Sequence, residues 1–74
     1  MSRMPAPMVL NDVLILHTTD RGWFCEVGDR RIFVAALQVE PGTLVPAQDE
    51  RGSLTIAPHA VEDIRQLLRN AGMR

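Results

Sequence analysis

GWFCEVGDRRIFVAALQV, residues 22–39, is the stretch of sequence that decides the fold. It contains two runs rich in aromatic and β-branched residues, 23–27 and 30–34, which are separated only by Gly28-Asp29. A two-residue loop that begins with glycine suits a type II′ turn, because the first central residue of that turn needs a positive φ. The turn fixes the register of a β-hairpin, and the predicted cross-strand pairs are Val27–Arg30, Glu26–Arg31, Cys25–Ile32, Phe24–Phe33 and Trp23–Val34.

This register assigns each hairpin residue to one face of the sheet, because side chains alternate along a strand. One face is apolar and is predicted to be the core; it carries Trp23, Cys25, Val27, Ile32 and Val34. The other face carries the aromatic pair Phe24/Phe33 and the opposite-charge pair Glu26/Arg31. For the aromatic pair we expect, in order, a second small core beneath a helix, a contact with a protein, or stacking of nucleic-acid bases.

The remaining strands are weaker in pattern. Residues 9–18 predict a first strand that starts near Asp12, and residues 52–57 predict the last one. A short strand is predicted at 43–45, just before Pro46. The first strand has apolar residues on both faces, which is typical of a strand bent into a small barrel; one face carries Val13, Ile15 and His17, and the other carries Leu14 and Leu16.

A C-terminal helix is predicted over about 58–71, beginning at Pro58 and ending before Gly72. Its apolar face consists of Val61, Ile64, Leu67, Leu68 and Ala71. Residues 35–38 predict a short 3₁₀ turn. The expected fold class is α+β, with a small bent antiparallel β-sheet or an SH3-like barrel and one C-terminal α-helix.

The domain organisation follows from length and composition. A chain of 74 residues forms one domain, here 9–74, preceded by a flexible arm at 1–8 that lacks periodicity and contains Pro5 and Pro7. We expect none of the methionines to join the core. No run approaches the length of a membrane span, no signal peptide is visible, and Cys25 is the single cysteine. We therefore expect a cytoplasmic protein with a buried thiol, and no membrane contact.

Charge and motifs limit the function classes. The formal net charge is −1, so the chain lacks the basic excess of a generic nucleic-acid binder, and any such binding should be weak. There is no nucleophile with a base at a familiar spacing, no phosphate loop and no Cys/His cluster. We expect no enzyme activity, no catalytic or metal-binding residues and no cofactor.

Binding to a partner is the expected activity, and its candidate residues are those that the predicted core does not need. They are Arg and Met residues of the arm, the exposed hairpin residues and the arginines of the helix. The full set is Arg3, Met4, Met8, Phe24, Arg30, Arg31, Phe33, Arg65 and Arg69.

Two segments resemble a pattern of small phage and prophage barrel proteins. Gly22-Trp23 with residues 32–39, followed by residues 52–58, is similar to a hairpin that leads into a Trp-hydrophobic-Pro-x-Ser-Gln segment and a later Gly-x-Leu-x-Ile-Pro. The chain departs from this pattern at Phe33, Ala35 and Leu37, which stand for Trp, Pro and Ser. The resemblance implies a small barrel capped by a helix and a phage-like origin.

The expected function is therefore a non-catalytic, phage-type regulator that docks on a host protein complex such as the transcription machinery. One alternative is a single-stranded DNA- or RNA-binding module that uses Phe24, Phe33 and Arg31. Another is a structural or oligomer-forming subunit. The oligomeric state is left open.

Overall fold

A computed structural model describes residues 6–71 of the protein. These residues form the strands β1 (Met8–Thr18), β2 (Gly22–Val27), β3 (Arg30–Ala35) and β4 (Arg51–Ile56), two 3₁₀ turns (Ala36–Gln38 and Pro58–Ala60) and the helix α1 (Val61–Ala71). The strands form one antiparallel sheet in the order β3-β2-β1-β4. The predicted α+β class with one C-terminal helix is confirmed. The sheet is open, and the barrel alternative is not formed.

The hairpin of β2 and β3 has the predicted register at all five pairs, and Gly22 opposite Ala35 adds a sixth. Gly28 has a φ of 65°, while the φ of Asp29 is not positive, as a type II′ turn requires. Gly22 is needed for a different reason. A Cβ at Gly22 would lie 2.8 Å from the Cα of Ala35, so the two strands approach too closely for a side chain there.

β1 differs from the prediction at its start and in its regularity. It begins at Met8, opposite Ile56, and the side chain of Met8 packs against the core. The prediction that strand 1 starts near Asp12, and that no methionine reaches the core, is therefore wrong. Asp12, with a φ of 57°, lies in a bulge between Leu10 and Val13. This bulge and a second one bend β1, so that its first half pairs with β4 and its second half with β2.

The core lies between one face of the sheet and α1. Its most enclosed side chains come from all four strands and from the helix, and they include the predicted residues of the hairpin. The buried set is Leu10, Val13, Ile15, Cys25, Ile32, Val34, Leu54, Ile56, Ala60 and Ile64. The predicted core face is confirmed, although Trp23 and Val27 at its margin are only half-buried.

The short strand predicted at 43–45 is not formed. A different segment pairs with the end of β4 instead, because Val39 bridges to Ile56 and the N–H of Glu40 donates to the C=O of Thr55 at 2.9 Å. Val45 still packs against the core, whereas Leu44 is 92% exposed. Residues 43–45 therefore serve as a covering loop.

α1 begins one turn later than the predicted start, because the 3₁₀ turn at Pro58–Ala60 precedes it. Glu62 and Asp63 lie in the first turn of the helix and Arg69 in the last, which complements the helix dipole. Gly72, the expected C′ residue, lies outside the described residues. Within residues 6–71 no helix is both long and apolar enough to cross a membrane.

Candidate functional site

The sheet face opposite α1 is the candidate functional surface, and we call it the outer face. Strand pairing places two rows of side chains on it. One row runs across β3, β2 and β1 through Phe33, Phe24 and His17, and the adjacent row runs across all four strands through Arg31, Glu26, Leu14 and Arg51. The outer face is defined by Leu14, His17, Phe24, Glu26, Arg31, Phe33 and Arg51. It combines aromatic, aliphatic and charged side chains, whereas the core face is apolar.

Three aromatic rings follow one another across three strands of the outer face. The ring centroids of Phe33 and Phe24 are 4.9 Å apart with an interplanar angle of 58°, a distance and tilt typical of a favourable aromatic pair. The ring of His17 follows at 6.3 Å from that of Phe24. Phe24, in the middle of the row, is 46% exposed, and Phe33 is half-buried. The row therefore presents a large aromatic surface to solvent.

The expectation that Phe24 and Phe33 form a second small core beneath the helix is wrong. Neither ring belongs to the core or to the side chains packed against it. The reason lies in where the helix packs on the sheet. α1 follows β4, packs mainly on β3 and places Ile64 in the same core cluster as Leu54 and Ile56. A single short helix covers one face of the sheet, and it covers the face to which these residues belong.

His17 is the functional candidate that the sequence pattern misses. Strict alternation places it on the same face as Val13 and Ile15. The bulge between Ile15 and His17 inserts one residue, so that His17 pairs with Phe24 and joins the outer face. No local sequence signal marks this second bulge, because residues 13–16 are uniformly apolar.

Charged side chains flank the aromatic row. Arg31 lies opposite Glu26 in the adjacent row, and Arg51 is joined to Asp12 by an exposed ion pair of 3.3 Å. Arg30 and Arg31 are both exposed, and neither forms an ion pair with another described residue. The outer face therefore has an apolar centre and a rim that carries both signs of charge.

The other predicted contact residues are not brought to this surface. Arg65 and Arg69 lie on α1, which covers the opposite face, and Arg65 is paired with Glu62 at 3.2 Å. Met8 packs against the core. Arg3 and Met4 lie outside the described residues. The structure thus assembles Phe24, Phe33 and Arg31 on the outer face, places Arg30 on the core-face side of β3, and leaves the helix arginines apart from them.

Cys25 is the buried residue with the most reactive chemistry, and its surroundings suppress that chemistry. It lies on the core face of β2 and is fully buried. Burial raises the pKa of the Cys25 thiol to about 11, because the thiolate would be desolvated. The thiol is therefore protonated at neutral pH, as expected for a structural cysteine. Among the described residues, no group of three or more His, Cys, Asp and Glu side chains could hold a metal ion.

A separate, concave surface lies at the end of the sheet near the two 3₁₀ turns. It is an open pocket of about 450 Å³ between Ala36–Gln38 and Pro58–Ala60, and its walls include Val39, Pro41 and Ala57. Leu37, which is 86% exposed, stands at its margin. The pocket has apolar walls and only Glu40 and His59 as titratable groups, so it offers less for recognition than the outer face.

No protein-family model, no curated protein and no solved structure matches the chain. The function therefore has to be inferred from the chemistry of the outer face.

Proposed function

We propose that the protein is a non-catalytic binding module that docks a protein partner on its outer face. The observation that carries this proposal is Phe24. Its ring packs on that of Phe33 at 4.9 Å, yet it is 46% exposed on the face of the sheet opposite the core. Burial of this ring by a partner would recover the hydrophobic free energy that folding leaves unused.

The arrangement of side chains on the outer face matches the usual anatomy of a protein interface. Such interfaces have an apolar core enriched in aromatic residues and a polar rim, and arginine is frequent among their contact residues. Here the aromatic row forms the centre, with Arg31 and the Arg51–Asp12 pair around it. Phe24 and Phe33 are held against each other before binding, so a partner would not need to order them.

The finer part of the proposal concerns the partner. The sequence resemblance to small phage proteins supports a regulator that docks on a host protein complex such as the transcription machinery. The protonated, buried Cys25 is compatible with the reducing cytoplasm, where such a complex is found.

A single-stranded nucleic acid is the second candidate partner. The observation that favours it is the row of three rings across adjacent strands, flanked by Arg31, since base-stacking platforms are built in this way. Glu26 and Asp12 lie near the same surface and the chain has a net charge of −1, which disfavours phosphate contacts. Binding of a random single strand should therefore be weak and should be lost at about 0.2 M salt. Fluorescence anisotropy across a salt titration measures this, and tight binding that survives about 0.2 M salt would favour nucleic acid over protein.

Site-specific photo-crosslinking in a bacterial lysate tests the proposed function. A photoreactive phenylalanine analogue replaces Phe24 in one sample and Leu44 in a matched control, because Leu44 is also exposed but lies away from the sheet. We expect a defined protein product from position 24, a lower yield when Phe33→Ser is added, and no such product from position 44. Identical products from both positions, or no product from position 24, would contradict the proposal. A nucleic-acid product from position 24 would favour the second candidate.

A further inference from the structure

The two edges of the sheet are treated differently by the fold. The end of the β4 edge at residues 55–57 is covered by the segment that follows the first 3₁₀ turn, through the Val39–Ile56 bridge and through the N–H of Ala57, which donates to the C=O of Gln38 at 2.8 Å. The β3 edge has no such cover among the described residues. An uncovered edge presents unpaired backbone groups to any extended chain.

The hairpin register identifies the open groups on β3. In a hairpin with a two-residue turn, the residues that flank the turn form a hydrogen-bonded pair, and such pairs recur at every second residue. Ala36 fits this parity, because its N–H donates to the C=O of Arg21 at 2.9 Å. The backbone groups of Arg31, Phe33 and Ala35 therefore point away from β2. The N–H of Ala35 donates to Oε1 of Gln38 at 3.0 Å, which leaves the N–H and C=O groups of Arg31 and Phe33 open.

The side chains beside these open groups define the chemistry of an occupant. Arg31 projects on the outer face and Arg30 on the core-face side, so one end of the edge is cationic on both sides of the strand. Neither arginine is in an ion pair with a described residue. At the other end, Phe33 offers an apolar neighbour on the outer face, and Ile32, on the core face, is buried where α1 packs on β3. An added strand would thus meet an apolar pair and then a cationic pair.

We propose that an extended, acidic segment of the partner protein adds to β3 as a fifth, antiparallel strand. Read from its N-terminus, this segment carries two apolar residues, opposite Phe33 and Ile32, and then two acidic residues, opposite Arg31 and Arg30. Four backbone hydrogen bonds form with Arg31 and Phe33, and the side-chain pairs set the register. This proposal rests on the proposed function, because it names the part of the partner that would lie beside the aromatic row.

A second copy of the chain fits the same edge less well. Two-fold antiparallel pairing about Ile32 would use the same open groups. In that register Arg31 of each copy would lie diagonal to Arg31 of the other, and the arginines of both copies would share one short interface of like charge, which disfavours association. The charge of the edge therefore favours an acidic partner over self-association.

Amide hydrogen exchange with a synthetic probe tests the proposal. The probe is a capped hexapeptide with a central valine-valine-glutamate-glutamate sequence, added to the full chain at up to about 5 mM, since four hydrogen bonds give only weak affinity. We expect the amide protons of Arg31 and Phe33 to exchange at least about tenfold more slowly with the peptide, as new hydrogen bonds protect them. The amide protons of Ile32 and Val34, which already bond to β2, should change little.

Two sets of variants make the result specific. The double variant Arg30→Glu, Arg31→Glu should lose the protection by the acidic peptide. A peptide with lysines in place of the glutamates should protect the same amides of this double variant. Chemical synthesis with an N-methyl group at Phe33 removes one donor and keeps every side chain; it should also abolish protection, whereas N-methylation at Leu44 should not.

The remaining outcomes would overturn the proposal. One is that the acidic peptide leaves amide exchange at Arg31 and Phe33 unchanged. Another is that the lysine peptide protects these amides of the parent chain as well as the acidic peptide does. The third is that they become protected without any peptide as the protein concentration rises. The last outcome would identify a second copy as the occupant. If the peptide fails while cross-linking from position 24 persists, the edge proposal falls and the proposed function stands. If cross-linking also fails, both fall.

Discussion

The core face and the outer face of the sheet both carry large apolar side chains, but only the core face is covered. On the core face, side chains such as Ile15, Val34 and Leu54 are completely buried beneath α1 and the loop that follows β3. On the outer face, Phe24 remains 46% exposed although it is the central ring of a packed row. The hairpin of β2 and β3 contributes to both faces, with Val34 on the core face and Phe24 on the outer face.

This difference teaches how a small chain divides its apolar residues between stability and contact. Among the described residues a single α-helix is available to cover the four-stranded sheet, and it packs on the face that carries Leu54 and Ile56. The apolar residues beneath the helix supply the free energy of folding. Those on the other face add to it through local pairs, and their exposed surface is available to a partner.

The largest expected effect is on the core face. Ile15→Ala should lower the free energy of unfolding by about 3 kcal/mol, because it removes a fully buried side chain and leaves a cavity. Leu14→Ala is the matched control, since Leu14 precedes it on β1 but lies half-buried on the outer face. It should cost about 1 kcal/mol. Urea unfolding of both variants measures the difference, and equal costs would remove the distinction between the faces.

The pH dependence of stability gives the next largest effect and reports on the core face alone. The pKa of Cys25 in the folded chain, about 11, is above its ordinary value of 9.0, so the folded state favours the protonated thiol. Stability is therefore complete below about pH 9 and falls as the pH rises from there through 11, by roughly 2–3 kcal/mol. The chain has no tyrosine or lysine, so no other side chain has an ordinary pKa in this range. Cys25→Ala should flatten the alkaline decline in urea unfolding, and a decline that persists in this variant would contradict the assignment.

Much of this fold could be predicted because its signals are local. The Gly28-Asp29 turn determines the hairpin register, and alternation then identifies Cys25, Ile32 and Val34 as core residues. The apolar spacing of 61–71 identifies the helix in the same way. The exposed aromatic pair could be placed on the correct face, although its environment depends on where α1 packs, which no local pattern encodes.

The failures of prediction came from non-local structure. A bulge changes the face of every residue beyond it, and the bulge before His17 is visible only in the pairing of β1 with β2. Val39 and Glu40, rather than residues 43–45, pair with the end of β4. Met8 pairs with Ile56, its partner across the sheet. Residues 55 and 56, which receive these contacts, are distant in sequence from the segments that pair with them.

The turn that assigns residues to the two faces can be tested directly. Gly28→Val should cost about 1–2 kcal/mol of unfolding free energy, because a β-branched residue resists the φ of 65° found at this position. Gly28→Asn is the matched control, since asparagine tolerates a positive φ, and it should cost less. Thermal melting of the two variants measures this. A Val variant that melts like the parent would show that the turn, and with it the register, is not the one described.

The smallest expected effect belongs to the outer face. It tests most directly the claim that this face is a contact surface and not a second core. The measurement is the free energy of unfolding of Phe24→Ala, compared with that of Ile32→Ala on the other face of the hairpin. Phenylalanine is the larger side chain, and its removal from a core costs about 3–5 kcal/mol. Because Phe24 is half-exposed and loses mainly its contact with Phe33, we predict a cost of about 1 kcal/mol, against about 3 kcal/mol for the buried Ile32. A cost for Phe24→Ala equal to or greater than that for Ile32→Ala would show that the aromatic row is a second core, and would contradict its role as a contact surface.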